Sequence, residues 1–134
     1  MTTVVDASVV IAALIDTGPT GVWAESLLTR GALTAPHHMP VEVAAVLRRS
    51  ASAGRISDDV AALAHGDLVS LPIQYFPYAL LAPRAWQLRA SVTPYDAWYV
   101  ALAEALDVPL STLDARLSRA DGPRCAFELP PRQA

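Results

Sequence analysis

The sequence predicts an α/β fold: a short, mainly parallel central sheet with helices on both faces. Three observations carry this. Short β-branched or apolar runs alternate with helix-length segments along the whole chain, and such alternation builds parallel sheets covered on both sides. Cap, proline and glycine signals bound those segments at the spacing of single elements. At 134 residues the chain buries one ordinary core, and no repeat, linker or low-complexity stretch divides it. A single domain over residues 1–134 is expected, with the Pro-containing tail 130–134 loose.

Taken in order, "TTVV" is β-branched and suits a buried strand. After Asp6 and Ser8 the pattern turns to a short apolar helix. "GPTGVWAESLLTRG" opens with turn residues and continues as a helix ending near Gly31. "ALTAP" reads as a second strand stopped by Pro36. "MPVEVAAVLRRSASAG" is a helix between Pro40 and Gly54, and "SDDVAALAHGDLVSL" is another with Ser57 as N-cap and two acids in its first turn. "PIQYF" is a short strand, and "ALLAPRAWQLRA" a helix with Pro83 near its start. "TPYDAWYVALAEAL" begins with Thr93 as N-cap and Pro94 as first helical residue. "VPLSTLD" then reads as a strand, "ARLSRA" as a helical turn and "CAFEL" as the last strand.

Composition narrows the function classes. The hydrophobic share is 53%, yet no run approaches the ~20 apolar residues of a membrane span, and the apolar N-terminal run lacks a basic region. A cytoplasmic protein with no membrane association is expected, and the apolar excess points to a subunit or partner interface. One cysteine, Cys125, excludes a multi-cysteine metal site. Net charge is −3, so there is no global basic footprint. All ten basic residues are arginine, and the chain has no lysine.

Asp96 poses the chemical question. It falls at the third position of a helix that is apolar nearly all round, with Tyr99, Val100 and Ala103 one to two turns along. A capping role alone leaves its charge on an apolar stripe. In open α/β sheets ligands bind beyond the carboxyl ends of the strands. Asp6 and Asp114 close two predicted strands there. Glu42 in "MPVE" and Asp96 in "TPYD" each follow a proline by two residues, which puts both in a first helical turn. If the chain returns those helix starts to the same edge, four acids meet. Two like charges about 4 Å apart repel by roughly 4 kcal/mol at an effective dielectric near 20. Either some of these carboxyls hold protons or a cation neutralises them. With no lysine, a hard divalent ion is the simpler answer, and oxygen ligands select Mg²⁺ or Mn²⁺. The expected metal ligands are Asp6, Asp96 and Asp114, with Glu42 in the catalytic set. Ser8 and Thr112 are placed to orient carboxylates by hydrogen bonding. Asp58, Asp59, Asp67 and Asp107 fit caps or surface. His37 and His38 read as loop residues, His65 has no ligand spacing, and the tryptophans and tyrosines read as core or interface.

These motifs, "VVDAS", "MPVEV", "TPYDAWYVALAEAL" and "LSTLDARLSRA", cover nearly the whole chain. Together they resemble the PIN-domain ribonucleases, and most closely the VapC-type toxins of bacterial type II toxin–antitoxin pairs. The resemblance implies a PIN-like fold and a Mg²⁺-dependent endoribonuclease whose four acids are Asp6, Glu42, Asp96 and Asp114. It also implies a homodimer inhibited by a cognate antitoxin. Mg²⁺ would activate water for in-line attack on an RNA phosphodiester. Glu42 or Asp114 would serve as outer ligand or base, and Arg116 and Arg119 would grip RNA phosphates.

Rival phosphoryl chemistries lack their parts. A receiver domain and a P-loop each require a lysine. A haloacid-dehalogenase-like phosphatase wants an aspartate two residues after the first, where Ser8 stands. The rival from a different class is a non-catalytic α/β binding module whose acidic patch docks a basic partner. Metal-dependent RNA cleavage separates it from the nuclease.

Overall fold

Val4 and Val5 are both fully buried in the strand β1 (Thr2–Val5). Neighbouring residues of a strand point to opposite faces, so both faces of the sheet are covered at its centre. The computed structural model describes residues 1–132, and in it β1 is followed by α1 (Ala7–Ile15), α2 (Pro19–Thr29) and β2 (Ala32–Pro36). Next come α3 (Met39–Ser52), α4 (Asp58–Ser70), β3 (Ile73–Phe76), α5 (Ala82–Gln87) and α6 (Pro94–Leu106). The last elements are β4 (Leu110–Ser111), α7 (Ala115–Ser118) and β5 (Phe127–Glu128).

The strands lie in the order β3-β2-β1-β4-β5, and every pairing is parallel. The expected mainly parallel sheet is therefore wholly parallel among the described residues. The chain builds outward from β1 to β2 and β3, then crosses to β4 and β5 on the other side. That reversal makes the crevice beyond β1 and β4 the topological switch point, where open α/β sheets bind ligands.

Helix α6 lies over β1, β2 and β4 and carries α5, while α1 gathers α2, α3 and α4. Ala97, Val100, Ala101, Leu102 and Ala103 of α6 are all but fully buried. Burial of the larger of these contributes about 1.5–3 kcal/mol per side chain, which anchors the helix that presents Asp96. Between α1 and α2 the chain bends by 112°. Gly21 permits the close return, because a Cβ there would collide with the carbonyl oxygen of Asp16. No single helix among the described residues is long and apolar enough to cross a membrane.

Three elements are shorter than their sequence patterns. "VPLSTLD" pairs only at Leu110–Ser111, because the Thr112 hydroxyl accepts from the Asp114 amide (3.0 Å) and turns the chain away. Asp114 therefore sits beyond the strand as the N-cap of α7. "CAFEL" contributes only Phe127–Glu128 to the sheet. The "ALLAPRAWQLRA" helix begins at Ala82, since Pro83 is tolerated only in a first turn, and it ends at Gln87. Of the tail expected to be loose, residues 133 and 134 lie outside the described residues. Pro130, Pro131 and Arg132 border a cleft with Pro19 and Trp23 of α2.

Candidate active site

Asp6 follows directly on β1 and caps α1. Its Oδ1 accepts the Val9 amide (3.2 Å) and the Ser8 hydroxyl. Ser8 in turn accepts the Leu113 amide at 3.0 Å, which ties the end of β1 to the loop after β4. Thr112, fully buried, also hydrogen-bonds Asp6. Ser8 and Thr112 thus flank the Asp6 carboxylate with hydroxyl groups. Asp6 is only 7% exposed. Burial pushes its pKa up to about 6, the three hydrogen bonds oppose that, and the charge of Asp96 adds to it.

Asp96 arrives from the other layer. Thr93 caps α6 by accepting the Asp96 amide (3.2 Å), and Pro94 opens the first turn, as expected from the sequence. The carboxyl of Asp96 is held above the usual carboxylate range by burial first, then by the charges of Asp114 and Glu42. Asp114 accepts the amides of Arg116 (2.9 Å) and Leu117 (3.3 Å), which starts α7. Asp96, Asp114 and Arg116 line one cleft of about 360 Å³.

Glu42 lies in the first turn of α3, and its neighbours are a feature the sequence did not disclose. The hydroxyl of Tyr99, a buried residue of α6, donates to Glu42 Oε1 at 2.9 Å. Burial, followed by the charge of Glu42, raises the Tyr99 pKa far above its ordinary value, so the phenol remains a donor. His38, expected to be a loop residue, is the N-cap position of α3, and its Nε2 stands 2.7 Å from Glu42 Oε1. That contact is close but lacks hydrogen-bond alignment. The imidazole stacks on Trp98 (ring centroids 4.4 Å apart, 6° between planes) and abuts Tyr99. His38 Nδ1 and Trp98 Nε1 are buried without a hydrogen-bond partner among the described residues. The only signal in the sequence was spacing: Glu42 is four residues after His38, and Tyr99 three after Asp96, both one helical turn away.

The four acids are therefore drawn into one electrostatic neighbourhood. Asp6 feels Asp96, and Asp96 feels Asp114 and Glu42. Among the described residues, however, no three Asp, Glu, His or Cys side chains close tightly enough to surround one ion as they stand. Asp6 and Asp114 each use an oxygen to cap a helix, and mutual repulsion opposes closer approach. The donor chemistry nonetheless fits a hard divalent cation: oxygen ligands, partial burial, and two carboxyls, Asp6 and Asp96, that burial and neighbouring acids hold above their ordinary pKa. Arg116 borders the cleft; Arg119 is the C-cap residue of α7 and does not line it.

Comparison with known proteins agrees with this geometry. The PIN domain family model matches residues 3–123. Ribonuclease VapC1 of Mycobacterium tuberculosis is 42% identical over 127 residues, covering 94% of this chain and 96% of its own. VapC ribonuclease Mb0985 of Mycobacterium bovis is 38% identical over 129 residues, covering 96% of this chain and 98% of its own. Among solved structures, VapC20 of M. tuberculosis, described as a sarcin-ricin loop cleaving toxin, superposes with a TM-score of 0.68. It is 18% identical and covers 87% of this chain and 93% of its own. VapBC2 of Rickettsia felis, bound to a DNA fragment from its promoter, gives 0.70 at 13% identity, covering 96% and 98%. The structural matches speak for the fold, and the relatives named as ribonucleases favour an enzyme over a binding module. This chain belongs to the PIN domain family, among the VapC ribonucleases.

Proposed function

We propose that the protein is a metal-dependent endoribonuclease, the toxin of a toxin–antitoxin pair, cutting RNA phosphodiesters at Asp6, Glu42, Asp96 and Asp114. The observation that carries this is the state of Asp6: nearly buried, hydrogen-bonded by Ser8, and pushed up to about 6 by that burial, with the charge of Asp96 adding to it. Asp6, Asp96 and Asp114 would hold Mg²⁺, with Mn²⁺ as a substitute. Bound there, the ion would supply a water of lowered pKa and offset charge on the phosphate.

The chain's own residues prepare the rest. Ser8 and Thr112 would hold the Asp6 carboxylate in place. Glu42, held by Tyr99 and approached by His38, is placed to take a proton from an attacking water at its carboxylate. Arg116 at the cleft, and Arg119 next to it in sequence, would meet RNA phosphates.

Regulation follows from charge. A concave acidic site suits an inhibitor that inserts an arginine, whose guanidinium pairs bidentately with carboxylates. The antitoxin would carry such a segment; that there is a protein partner at all is supported by the VapBC2 assembly of R. felis. Replacing that arginine by alanine is expected to restore cleavage more than it weakens the complex. Exposed apolar side chains such as Val22, Leu63 and Val69 leave surface for the antitoxin and for a second copy of the chain in a homodimer. The protein would act in the cytoplasm, where its RNA is.

The test is sequencing of RNA ends after expression of wild type beside Asp6→Asn. New ends that appear only with wild type, and in vitro only with Mg²⁺ or Mn²⁺, support the reading. Identical ends from both proteins would overturn it.

A further inference from the structure

An enzyme that cuts within an RNA chain must hold nucleotides on both sides of the scissile bond, and two clefts leave this site. In the first, about 360 Å³, Asp96 and Asp114 lie beside Arg116. In the second, about 340 Å³, Glu42 and Ser8 lie beside Arg49 of α3. Asp6 lines neither cleft but relates the two: Ser8 of the second hydrogen-bonds it, and it feels the charge of Asp96 of the first. The first cleft therefore sets two acids of the cluster beside one arginine, and the second sets one acid beside another arginine.

Those arginines are not engaged by the protein's own acids. Among the described residues the guanidinium ion pairs are Arg30–Glu128 and Arg84–Glu104, and neither Arg49 nor Arg116 takes part in one. Arg49 is exposed near the end of α3. Arg48, its neighbour in sequence, lines neither cleft. On a chain of net charge −3, an unpaired arginine beside an acidic centre is a local exception to the prevailing field. It offers a polyanion a foothold that the carboxylates deny it.

We propose that Arg49 is a further RNA-contacting residue, and that the substrate strand crosses the site from one cleft to the other. Arg116 and Arg49 then hold phosphates on opposite sides of the scissile one. This rests on the ribonuclease reading. It adds a specific binding residue on α3 and a direction of passage across the sheet edge.

The experiment measures binding of a fluorescent single-stranded RNA of mixed sequence and about 20 nucleotides, long enough to span both clefts. Proteins are compared in an Asp6→Asn background, which prevents cleavage, across a range of salt. Arg49→Ala is expected to weaken binding roughly fivefold, as removal of one charge-assisted hydrogen bond near 1 kcal/mol would. It should also reduce the slope of log affinity against log salt by about 0.7, because one phosphate of the single strand is then no longer neutralised. Arg116→Ala should do the same, the double variant should add both, and Arg48→Ala should do neither.

With cleavage-competent protein and a mapped cut site, RNAs shortened on one side or the other give the second arm. Shortening one side should erase the effect of Arg49→Ala, and shortening the opposite side that of Arg116→Ala. Wild type that cleaves while Arg49→Ala matches Arg48→Ala in affinity and salt slope overturns the two-cleft path and leaves the ribonuclease reading standing. So does erasure of both effects from the same side, or an Arg49→Ala change that weakens a protein partner alone. Wild type that cleaves no RNA with any divalent ion overturns the ribonuclease reading itself.

Discussion

Helix α6 carries two partly buried carboxylates, and they are treated in opposite ways. Glu104 receives Arg84 through Nε (2.7 Å) and Nη2 (3.1 Å), and the Arg124 amide at 2.8 Å. Burial opposes its charge, but these donors outweigh burial and hold its pKa below the ordinary value. Arg84 also reaches the Gly122 carbonyl at 2.8 Å, so the pair fastens α5, α6 and the loop before β5. Asp96, at the other end of the same helix, has acids for neighbours and a raised pKa. The contrast separates a carboxylate that serves the fold from one that the fold tolerates at a cost. Among the described residues an arginine ion-pairs with Glu104, whereas Arg116 borders the cleft of Asp96 without pairing with it.

The largest expected difference is in cleavage. Asp6→Asn, Glu42→Gln, Asp96→Asn and Asp114→Asn should each lower RNA cleavage on the order of 10²-fold or more while the protein stays folded. Glu104→Gln should keep its activity per folded molecule, as should Asp58→Asn and Asp107→Asn. Rates normalised to the folded fraction check this, and full activity in any of the first four would redraw the site.

The pH dependence of stability should carry opposite signs for the two kinds of acid. The Asp6 pKa is raised from 3.8 to about 6 by folding, so its contribution is intact below about 4 and is lost as pH rises through 6. Without metal, Asp6→Asn should therefore gain on the order of 3 kcal/mol over wild type at pH 7.5 and nothing at pH 3.5. Glu104, whose pKa is lowered, stabilises at neutral pH and loses that as pH falls. Glu104→Gln should cost roughly 1–3 kcal/mol at pH 7.5, and the cost should fade in acid. Denaturant titrations in chelator at both pH values distinguish the four cases. A loss of stability in Asp6→Asn at pH 7.5 would assign that residue to the structural class.

A smaller effect is expected at Tyr99, which serves both purposes. Tyr99→Phe removes the donor to Glu42 while keeping the buried ring. It should lower kcat roughly tenfold, leave KM near its wild-type value and displace the pH–rate profile. A change in melting temperature with an unaltered profile would show that Tyr99 only packs.

The order of elements was legible because caps and prolines mark nearly every boundary: Ser57 and Thr93 accept the amides expected of N-caps, and Asp6, read only as a strand-end acid, caps α1 as well. The edge pairings were less so, since a strand of two residues such as β4 carries too little pattern to show where the ladder stops. Thr112 ends it through a hydrogen bond that no periodicity reveals. Four acids were legible because topology sends strand ends and the following helix starts to one edge. His38 and Trp98 were not, because their stacking joins α3 to α6 across the fold, and an imidazole before a proline looks like a turn. Arg49 was likewise hidden: only the packing of α3 beside α1 places it in a cleft with Ser8.

The central proposal is that Asp96, unlike Glu104, helps to bind a divalent cation, and thermal unfolding at pH 7.5 with increasing Mg²⁺ tests it most directly. Binding to the native state alone raises stability, by about 2.7 kcal/mol when the ion exceeds its Kd a hundredfold. Wild type and Glu104→Gln should both gain melting temperature with millimolar Mg²⁺ or Mn²⁺. Asp96→Asn should lose that response and be no less stable than wild type in chelator. Wild type that melts at the same temperature with and without the ions would contradict the account.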